Sequence, residues 1–237
     1  MIIYRKFVQE GVLDPGIFTA IFLAGGPGSG KSYVAGKTTV GYGLKMVNSD
    51  STLEKLLRKH NVPLDFSRLD PEMTAKKDEL RTRARSLTFG KIKVKGYKGQ
   101  SALDLYLHGR LGLVVDGTGR DFDEIKNQSN VFRQLGYNTF MIFVNTSEEV
   151  AQIRNAERPR KLKPEMVKKL WTDVQSNMGK FQSYFGASNF ILIDNNNAKE
   201  NVFRKVSKQT SHFVKMAPSS RIAQDWITRE MEKRVRK

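Results

Sequence analysis

Residues 16–42 read GIFTAIFLAGGPGSGKSYVAGKTTVGY, and this stretch decides the fold. The apolar run 17–24 predicts a buried strand, and residues 25–32 match G-x-x-x-x-G-K-[ST] without a mismatch. Glycines let successive backbone N–H groups converge on phosphate oxygens at the start of a helix, which is predicted here over residues 31–42. The pattern therefore predicts a phosphate-binding loop for a nucleoside triphosphate.

The loop supplies most of the expected nucleotide contacts, which are Gly25, Gly26, Pro27, Gly28, Ser29, Gly30, Lys31, Ser32 and Tyr33. Lys31 can reach the β- and γ-phosphates, which gives it a catalytic role, and the Ser32 hydroxyl can ligate Mg²⁺. The alternative, a glycine-rich turn that binds nothing, is disfavoured by the complete pattern between a strand and a helix. A second GKT, at residues 36–38, lacks the leading glycine, because Lys31 stands five residues before it.

Composition bounds the class of protein. The 237 residues suit one domain of ordinary size with an appendage, and the absence of cysteine excludes disulfides and thiolate metal sites. No apolar run has membrane-spanning length and residues 1–11 lack the apolar core of a signal peptide, so we expect a soluble cytoplasmic protein. The net charge of +17 suits a polyanionic partner such as nucleic acid, with solubility alone as the alternative.

Strand and helix patterns alternate along the chain. Further strands are predicted over residues 44–47, 111–116, 139–144 and 189–193. Apolar strands alternating with helices predict a three-layer α/β fold with a parallel five-stranded sheet. We expect the domain to occupy residues 1–208 and a basic helical extension to occupy residues 209–237, which could dock on the domain, on another subunit or on nucleic acid.

A carboxylate follows the second predicted strand in the sequence VNSD, residues 47–50. Ligands of parallel α/β sheets lie beyond the carboxyl ends of the strands, so Asp50 is expected near the γ-phosphate. There it could act as the general base that takes the proton of an acceptor hydroxyl. The alternative, compatible with catalysis, is that Ser49 or Asp50 caps the helix predicted over residues 52–60.

A second carboxylate, Asp116, ends the third predicted strand. An acid at this position can hold a water on Mg²⁺, as a Walker B carboxylate does, and a helix cap is the alternative. Motor ATPases commonly carry another acid directly after it, whereas this chain has Gly117. That difference favours transfer to a bound acceptor over translocation.

Two arginines mark a candidate lid in the sequence RNAERPRK, residues 154–161. The i,i+4 spacing of Arg154 and Arg158 predicts that they share one helical face and neutralise a transferring phosphoryl group, with a solvated basic surface as the alternative. Pro159 and Pro164 are expected to bracket the hinge of the lid. Asn195, after the last strand, is expected beside the nucleotide base without distinguishing ATP from GTP.

The segment 76–98 holds nine basic and two acidic residues, interleaved with Phe89 and Tyr97. Basic and aromatic side chains together suit a surface that follows a nucleic acid backbone and stacks on its bases. The alternative is a solvated helix followed by a lysine-rich hairpin.

Four motifs in order carry a resemblance over residues 17–195: GGPGSGKS (25–32), VNSD (47–50), VVDGTGR (114–120) and RNAER (154–158). The chain resembles the P-loop kinases that include phage polynucleotide 5′-kinase and the zeta-toxin-type kinases. The R-N-x-x-R spacing is similar to the lid of the polynucleotide kinases, and D-G-T-x-R is closer to the E-G-T of the zeta toxins. Ser49 stands where the polynucleotide kinases carry an arginine.

The resemblance implies a kinase that transfers the γ-phosphate of ATP, with Mg²⁺, to a hydroxyl acceptor. It implies Asp50 as general base, Lys31 and Ser32 on the phosphates and Mg²⁺, and Arg154 and Arg158 on the donor phosphates. The net charge and the lid favour the 5′-hydroxyl of a nucleic acid as acceptor. The alternatives are a nucleotide sugar or another small acceptor, a nucleic-acid-binding NTPase without phosphotransfer, and an assembly protein that uses nucleotide only as a folding ligand.

Overall fold

The computed structural model describes residues 11–39, 41–90 and 100–235. Within them lie the strands β1 (Thr19–Ala24), β2 (Lys45–Val47), β3 (Leu113–Asp116), β4 (Asn138–Asn145) and β5 (Phe190–Asp194). These strands form one parallel sheet in the order β2-β3-β1-β4-β5. The predicted parallel five-stranded α/β fold is confirmed, with strand ends that differ from the predicted ones by at most two residues.

The helices of the described residues lie between and after the strands. They are α1 (Lys31–Thr38), α2 (Ser49–Lys59), α3 (Pro71–Phe89), α4 (Ala102–His108), α5 (Phe122–Gln134), α6 (Glu148–Glu157), α7 (Pro164–Phe185), α8 (Glu200–Lys215) and α9 (Arg221–Val235). None of these helices is both long enough and apolar enough to span a lipid bilayer.

Strand β1 lies at the centre of the sheet and is buried on both faces. Ala20 is in register with Leu113 of β3 and Thr139 of β4. Successive side chains of a strand point to opposite faces, so Phe22 packs in the core with α5 and α7, whereas Ile21 packs in the core with α1 and α8. This double burial explains why the strand reads as a continuous apolar run.

Helices α2 and α3 form a small core of their own beside the end of β2. Leu53 and Leu57 of α2 pack with Leu80 and Ala84 of α3, and Val62 from the connecting loop completes the cluster. Because α2 follows β2 directly, this unit fixes the position of the residues at the start of α2.

Helix α1 ends at Thr38 rather than at residue 42 as predicted. The hydroxyls of Thr38 and Thr39 donate to the carbonyls of Val34 and Ala35, and Gly41 follows with φ of 90°. A glycine in the left-handed region turns the chain away from the helix axis, so the helical pattern stops earlier than the apolar spacing indicated.

Of the basic and aromatic segment 76–98, the structure describes residues 76–90. Phe89 is 1% exposed and packs with Leu103 and Leu107 of α4, so the prediction that it stacks on bases is wrong. Tyr97 and the predicted lysine-rich hairpin lie outside the described residues.

The C-terminal helices pack on the domain. Helix α8 runs across residue 208, and its Phe213 stacks on Phe140 of β4 with ring centroids 4.0 Å apart. Helix α9 buries Ala223 and sets Trp226 edge-on against Phe18 at 5.6 Å. The predicted division into residues 1–208 and 209–237 therefore falls inside a helix, and the start of the basic extension docks on the domain.

Candidate active site

The phosphate-binding loop joins the end of β1 to the start of α1. Gly30 precedes α1 with φ of 83° and no side chain caps the helix, so the first N–H groups of α1 face the loop. Gly28 has φ of 73°, and a β-carbon there would lie 2.9 Å from the Cα of Ala151 in α6. Backbone conformation and close approach both require glycine in this loop.

Lys31 lies inside the loop in this structure. Its Nζ donates a hydrogen bond of 2.8 Å to the Gly25 carbonyl. Burial lowers the pKa of Lys31, and the nearby carboxylates of Asp116 and Asp50 offset part of that effect. The Ser29 hydroxyl is also buried in the loop, with no hydrogen-bond partner in the described part of the protein. Both groups are donors that a bound phosphate would satisfy.

The turn after β3 is bonded to this loop. The Gly25 N–H donates to the Thr118 carbonyl and the Gly117 N–H donates to the Leu23 carbonyl, each at 3.1 Å. A β-carbon added at Gly119 would lie 2.7 Å from Ala24 Cβ, so the turn packs closely on β1. These contacts fix Asp116, at the end of β3, beside the phosphate-binding loop.

Asn48 connects the two predicted acids and was missed by the sequence analysis. Its Oδ1 accepts a 2.6 Å hydrogen bond from the Asp50 N–H, and its Nδ2 donates to Asp116 Oδ2 at 2.7 Å. Helix α2 thus begins at Ser49, and the alternative that Ser49 or Asp50 caps it is excluded. Asn, Ser and Asp are all good N-caps, so the sequence NSD allowed each of the three. Because Asn48 caps α2, the Asp50 carboxylate is available for other contacts.

The Asp50 carboxylate pairs with a second residue that the sequence analysis did not single out. Arg160 Nη2 lies 2.6 Å from Asp50 Oδ2, and the Asp50 side chain is 59% exposed. Burial alone would raise the pKa of Asp50, but Arg160, followed by Lys31 and Arg81, holds that pKa below its usual value. Asp50 is therefore an ionised carboxylate that the solvent can reach.

Asp116 has the opposite environment. Burial and the neighbouring charge of Asp50 raise its pKa, and Lys31 opposes this only in part. Burial therefore disfavours the charged form of the Asp116 carboxyl, whereas Lys31 and Arg160 stabilise it.

The two predicted lid arginines do not share a helical face. Helix α6 ends at Glu157, and Arg158 is extended with ψ of 145° because it precedes Pro159, a position that disfavours the helical conformation. Arg154, still in α6, donates to the carbonyls of Asn195 at 2.9 Å and Asn196 at 3.1 Å. The dipeptide Arg158-Pro159 already indicated that the helix ends before Arg158, so the sequence could have shown that Arg154 and Arg158 do not share a helical face.

Arg158 interacts electrostatically with Arg160 and Asp50 instead. Partial burial and the charge of Arg160 lower the pKa of Arg158, whereas Asp50 raises it. Both arginines also lower the pKa of Lys31, so their positive charges act on the phosphate-binding loop. The positive charge of Arg158 thus acts on Lys31 and Asp50, and Arg154 also donates to the Gly28 carbonyl of the phosphate-binding loop at 3.5 Å. The role of both arginines on the donor phosphates stays a prediction.

An open depression of about 400 Å³ lies beside the loop. It is lined by Gly30, Tyr33, Arg154, Asn195, Asn196, Asn197, Ala198 and Phe203. Asn195 Nδ2 donates to the Ser29 carbonyl at 2.8 Å, which ties the segment after β5 to the loop. Tyr33 and Phe203 meet edge to face at 5.3 Å. Tyr33 and Asn195 therefore lie where a group attached to loop-bound phosphates could fit.

The model of the AAA domain family matches residues 21–180. The chain belongs to this family. No curated protein matches the sequence. The matched residues include the phosphate-binding loop, Asp50, Asp116 and the two predicted lid arginines.

Solved structures are similar to this chain at low identity. A candidate kinase from Chloroflexus aurantiacus has 12% identity and a TM-score of 0.52, over 81% of this chain and 97% of that one. A gluconokinase from Sinorhizobium meliloti has 11% identity and a TM-score of 0.42, over 90% and 98%. The AvrRxo1-ORF1:-ORF2 structure with ATP has 15% identity and a TM-score of 0.46, over 86% and 71%. This protein has the P-loop kinase-type α/β fold. Its likeness to polynucleotide or zeta-toxin kinases stays a prediction.

Proposed function

We propose that the protein is a kinase that uses ATP and Mg²⁺ to phosphorylate a hydroxyl acceptor, the 5′-hydroxyl of a nucleic acid strand. The observation that carries the proposal is the state of Asp50. It is ionised, exposed to solvent, not used as a helix cap, and close enough to Lys31 and Asp116 for their charges to interact. A carboxylate so placed can accept the proton of a hydroxyl next to the transferred phosphoryl group.

ATP binding is supported by the loop and by the depression next to it. The unpartnered Ser29 hydroxyl and the N-terminus of α1 suit phosphate oxygens. Lys31 could exchange its hydrogen bond with the Gly25 carbonyl for one with a phosphate oxygen. The depression lined by Tyr33 and Asn195 would hold the adenine ring of ATP.

The residues present fit Mg²⁺. Ser32 and Asp116 would hold it, since hydroxyl and carboxylate oxygens are its preferred ligands and a cation would stabilise the charged form of Asp116, which burial disfavours. The described residues contain no group of three or more acidic or histidine side chains suited to a metal, which fits an ion held by few protein ligands and by phosphates. When bound, Mg²⁺ supplies charge neutralisation between the β- and γ-phosphates.

A nucleic acid acceptor is supported by charge on the side of the site formed by α2 and α3. Arg81 is exposed on α3 and near enough to Asp50 to lower the pKa of that carboxyl. The chain as a whole carries +17. A strand whose terminal hydroxyl reaches Asp50 would thus have its phosphates near Arg81.

Transfer from γ-labelled ATP with Mg²⁺ tests the proposal. The acceptors are a 5′-hydroxyl oligonucleotide, a 5′-phosphorylated oligonucleotide of the same sequence, and a panel of nucleosides and nucleotide sugars. We expect label on the 5′-hydroxyl oligonucleotide alone, and a loss of about 10²–10⁴-fold in kcat for Asp50→Asn. ATP affinity of this variant, measured by calorimetry, should stay near that of the unmodified protein.

Other outcomes overturn parts of the proposal. Label only on a small acceptor would contradict the nucleic acid and move the protein toward the zeta-toxin type. Free phosphate alone, undiminished in Asp50→Asn, would contradict the kinase and favour a nucleic-acid-binding NTPase.

The salt dependence of oligonucleotide binding tests whether the nucleic acid contacts Arg81. If Arg81 contacts a phosphate, Arg81→Gln should reduce the slope of log Kd against log salt by about 0.7 for a single strand. The matched variant Arg221→Gln removes one exposed positive charge from α9, which packs on Phe18 before the start of β1 and not beside α3, so it should leave the slope unchanged. Titration of a fluorescent oligonucleotide at several salt concentrations measures both slopes, and equal slopes for Arg81→Gln and the unmodified protein would contradict this placement.

A further inference from the structure

Arg160 lies at a defined point of a short loop that the protein holds in place. The buried Asn155 side chain donates to the Leu162 carbonyl at 2.9 Å and accepts from the Leu162 N–H at 3.1 Å. Gln152 Nε2 donates to the Pro164 carbonyl at 2.9 Å, so the loop is bonded to α6 on both sides of residue 163. The loop is thus fixed to α6, and Arg160 extends from it.

The contact of Arg160 with Asp50 joins two separate parts of the fold. The residues are 110 positions apart, and Nη2 lies 2.6 Å from Oδ2. The Arg160 side chain is 21% exposed, so most of it is held among protein atoms. The other charged groups that act on Asp50 are Lys31 from α1, Arg81 from α3, Arg158 and the Asp116 carboxylate. Among the described residues, only Arg160 of these cations donates a hydrogen bond to Asp50.

We propose that Arg160 is a positioning residue for phosphotransfer, which holds Asp50 Oδ2 and so leaves Oδ1 to receive the proton of the acceptor hydroxyl. A carboxylate on a solvent-exposed helix start would otherwise sample several rotamers, and a fixed oxygen raises the fraction of encounters in which proton transfer can occur. This inference rests on the proposed function.

In the step concerned, the acceptor O–H bond breaks and its proton passes to the Asp50 carboxylate. The acceptor oxygen forms a bond to the γ-phosphorus of ATP, and the bond from that phosphorus to the bridging oxygen breaks, which releases ADP. Arg160 stays bonded to the other carboxylate oxygen, so it touches neither the acceptor nor the phosphoryl group.

Steady-state kinetics with ATP, Mg²⁺ and a 5′-hydroxyl oligonucleotide test the inference in five variants: Arg160→Gln, Arg160→Lys, Lys161→Gln, Asp50→Asn and Asp50→Asn/Arg160→Gln. We expect Arg160→Gln to lower kcat about 10- to 100-fold, below the 10²–10⁴-fold loss of a base itself, and to leave KM for ATP within about twofold. Arg160→Lys should recover part of kcat. Lys161→Gln removes an equal charge from the same loop and should behave like the unmodified protein. In the Asp50→Asn background, Arg160→Gln should cause no further loss.

The alternatives give different patterns. A raised KM for ATP with kcat unchanged in Arg160→Gln would place Arg160 on the donor phosphates and overturn the inference. Loss of transfer in Asp50→Asn with no change in Arg160→Gln would overturn the inference alone. Full transfer in Asp50→Asn would overturn the proposed base and the inference together. A fall in Tm shared by Arg160→Gln and Arg160→Lys, with no recovery of kcat in the lysine variant, would show a purely structural role.

Discussion

Gly28 brings the phosphate-binding loop against the backbone of α6. It needs φ of 73°, and an added β-carbon would collide with the carbonyl oxygen of Ala151. We expect Gly28→Ala to cost at least about 1–2 kcal/mol of unfolding free energy from the backbone conformation alone and to weaken ATP binding. Urea unfolding and calorimetric titration with ATP measure the two effects.

The second GKT supplies the control for this substitution. Gly36 lies inside α1, a β-carbon there would meet no atom within 4 Å, and the neighbouring Lys37 pairs with Glu200 rather than facing the loop. Gly36→Ala should therefore stabilise the protein by about 0.5–1 kcal/mol and leave ATP affinity unchanged. Equal loss of ATP binding in the two variants would contradict the assignment of the loop to residues 25–32.

Arg154 and Arg158 should differ in what their removal changes. Arg154 donates to the carbonyls of Asn195 and Asn196, so Arg154→Met should cost about 1–3 kcal/mol of stability and raise KM for ATP. Among the described residues, the Arg158 side chain makes no hydrogen bond, so Arg158→Met should change stability by less than about 0.5 kcal/mol while lowering kcat. Thermal unfolding and steady-state kinetics of both variants would show this contrast, and equal changes in Tm would argue against it.

At the scale of an element, the buried side-chain amide of Asn155 makes two of the hydrogen bonds that hold the loop after α6. Asn155→Ala removes both hydrogen bonds to Leu162, and we expect a loss of about 1–3 kcal/mol together with faster hydrogen exchange at the Leu162 amide. Because the same loop carries Arg160, kcat should fall as well. Asn127→Ala, at an exposed position of α5, is the matched control. Unchanged exchange at residue 162 would show that other contacts hold the loop.

At the scale of the whole molecule, α9 completes the core on one face of the sheet. Trp226 packs on Phe18, which directly precedes the central strand, whereas Ile222 in the same helix is 55% exposed. Trp226→Ala should lower the unfolding free energy by about 1–3 kcal/mol, less than for a fully buried tryptophan. Ile222→Ala should change it by less than about 0.5 kcal/mol. Urea unfolding distinguishes this docked helix from an independent extension, for which both variants would leave the domain unchanged.

The sequence by itself determined the features that depend on neighbours in the chain. The loop 25–32, its strand and its helix follow from local glycine and apolar patterns, and the order of strands and helices follows from periodicity. The acids at the ends of β2 and β3 could be placed near the loop because the carboxyl ends of parallel strands lie at the same edge of a sheet. Even the end of α6 before Pro159 was available from the sequence.

Only the tertiary structure decided which side chains meet. Arg160 pairs with Asp50 across 110 residues, Arg154 turns to carbonyls 41 and 42 residues away, and Asn48 bonds to Asp116 across 68. The sequence indicated that arginines lie near the phosphates, but it did not determine which arginine makes which contact. The choice depends on strand order, on the end of α6 and on the bonds that fix its loop. These long-range constraints act together once the chain has folded, so no short stretch of sequence contains them.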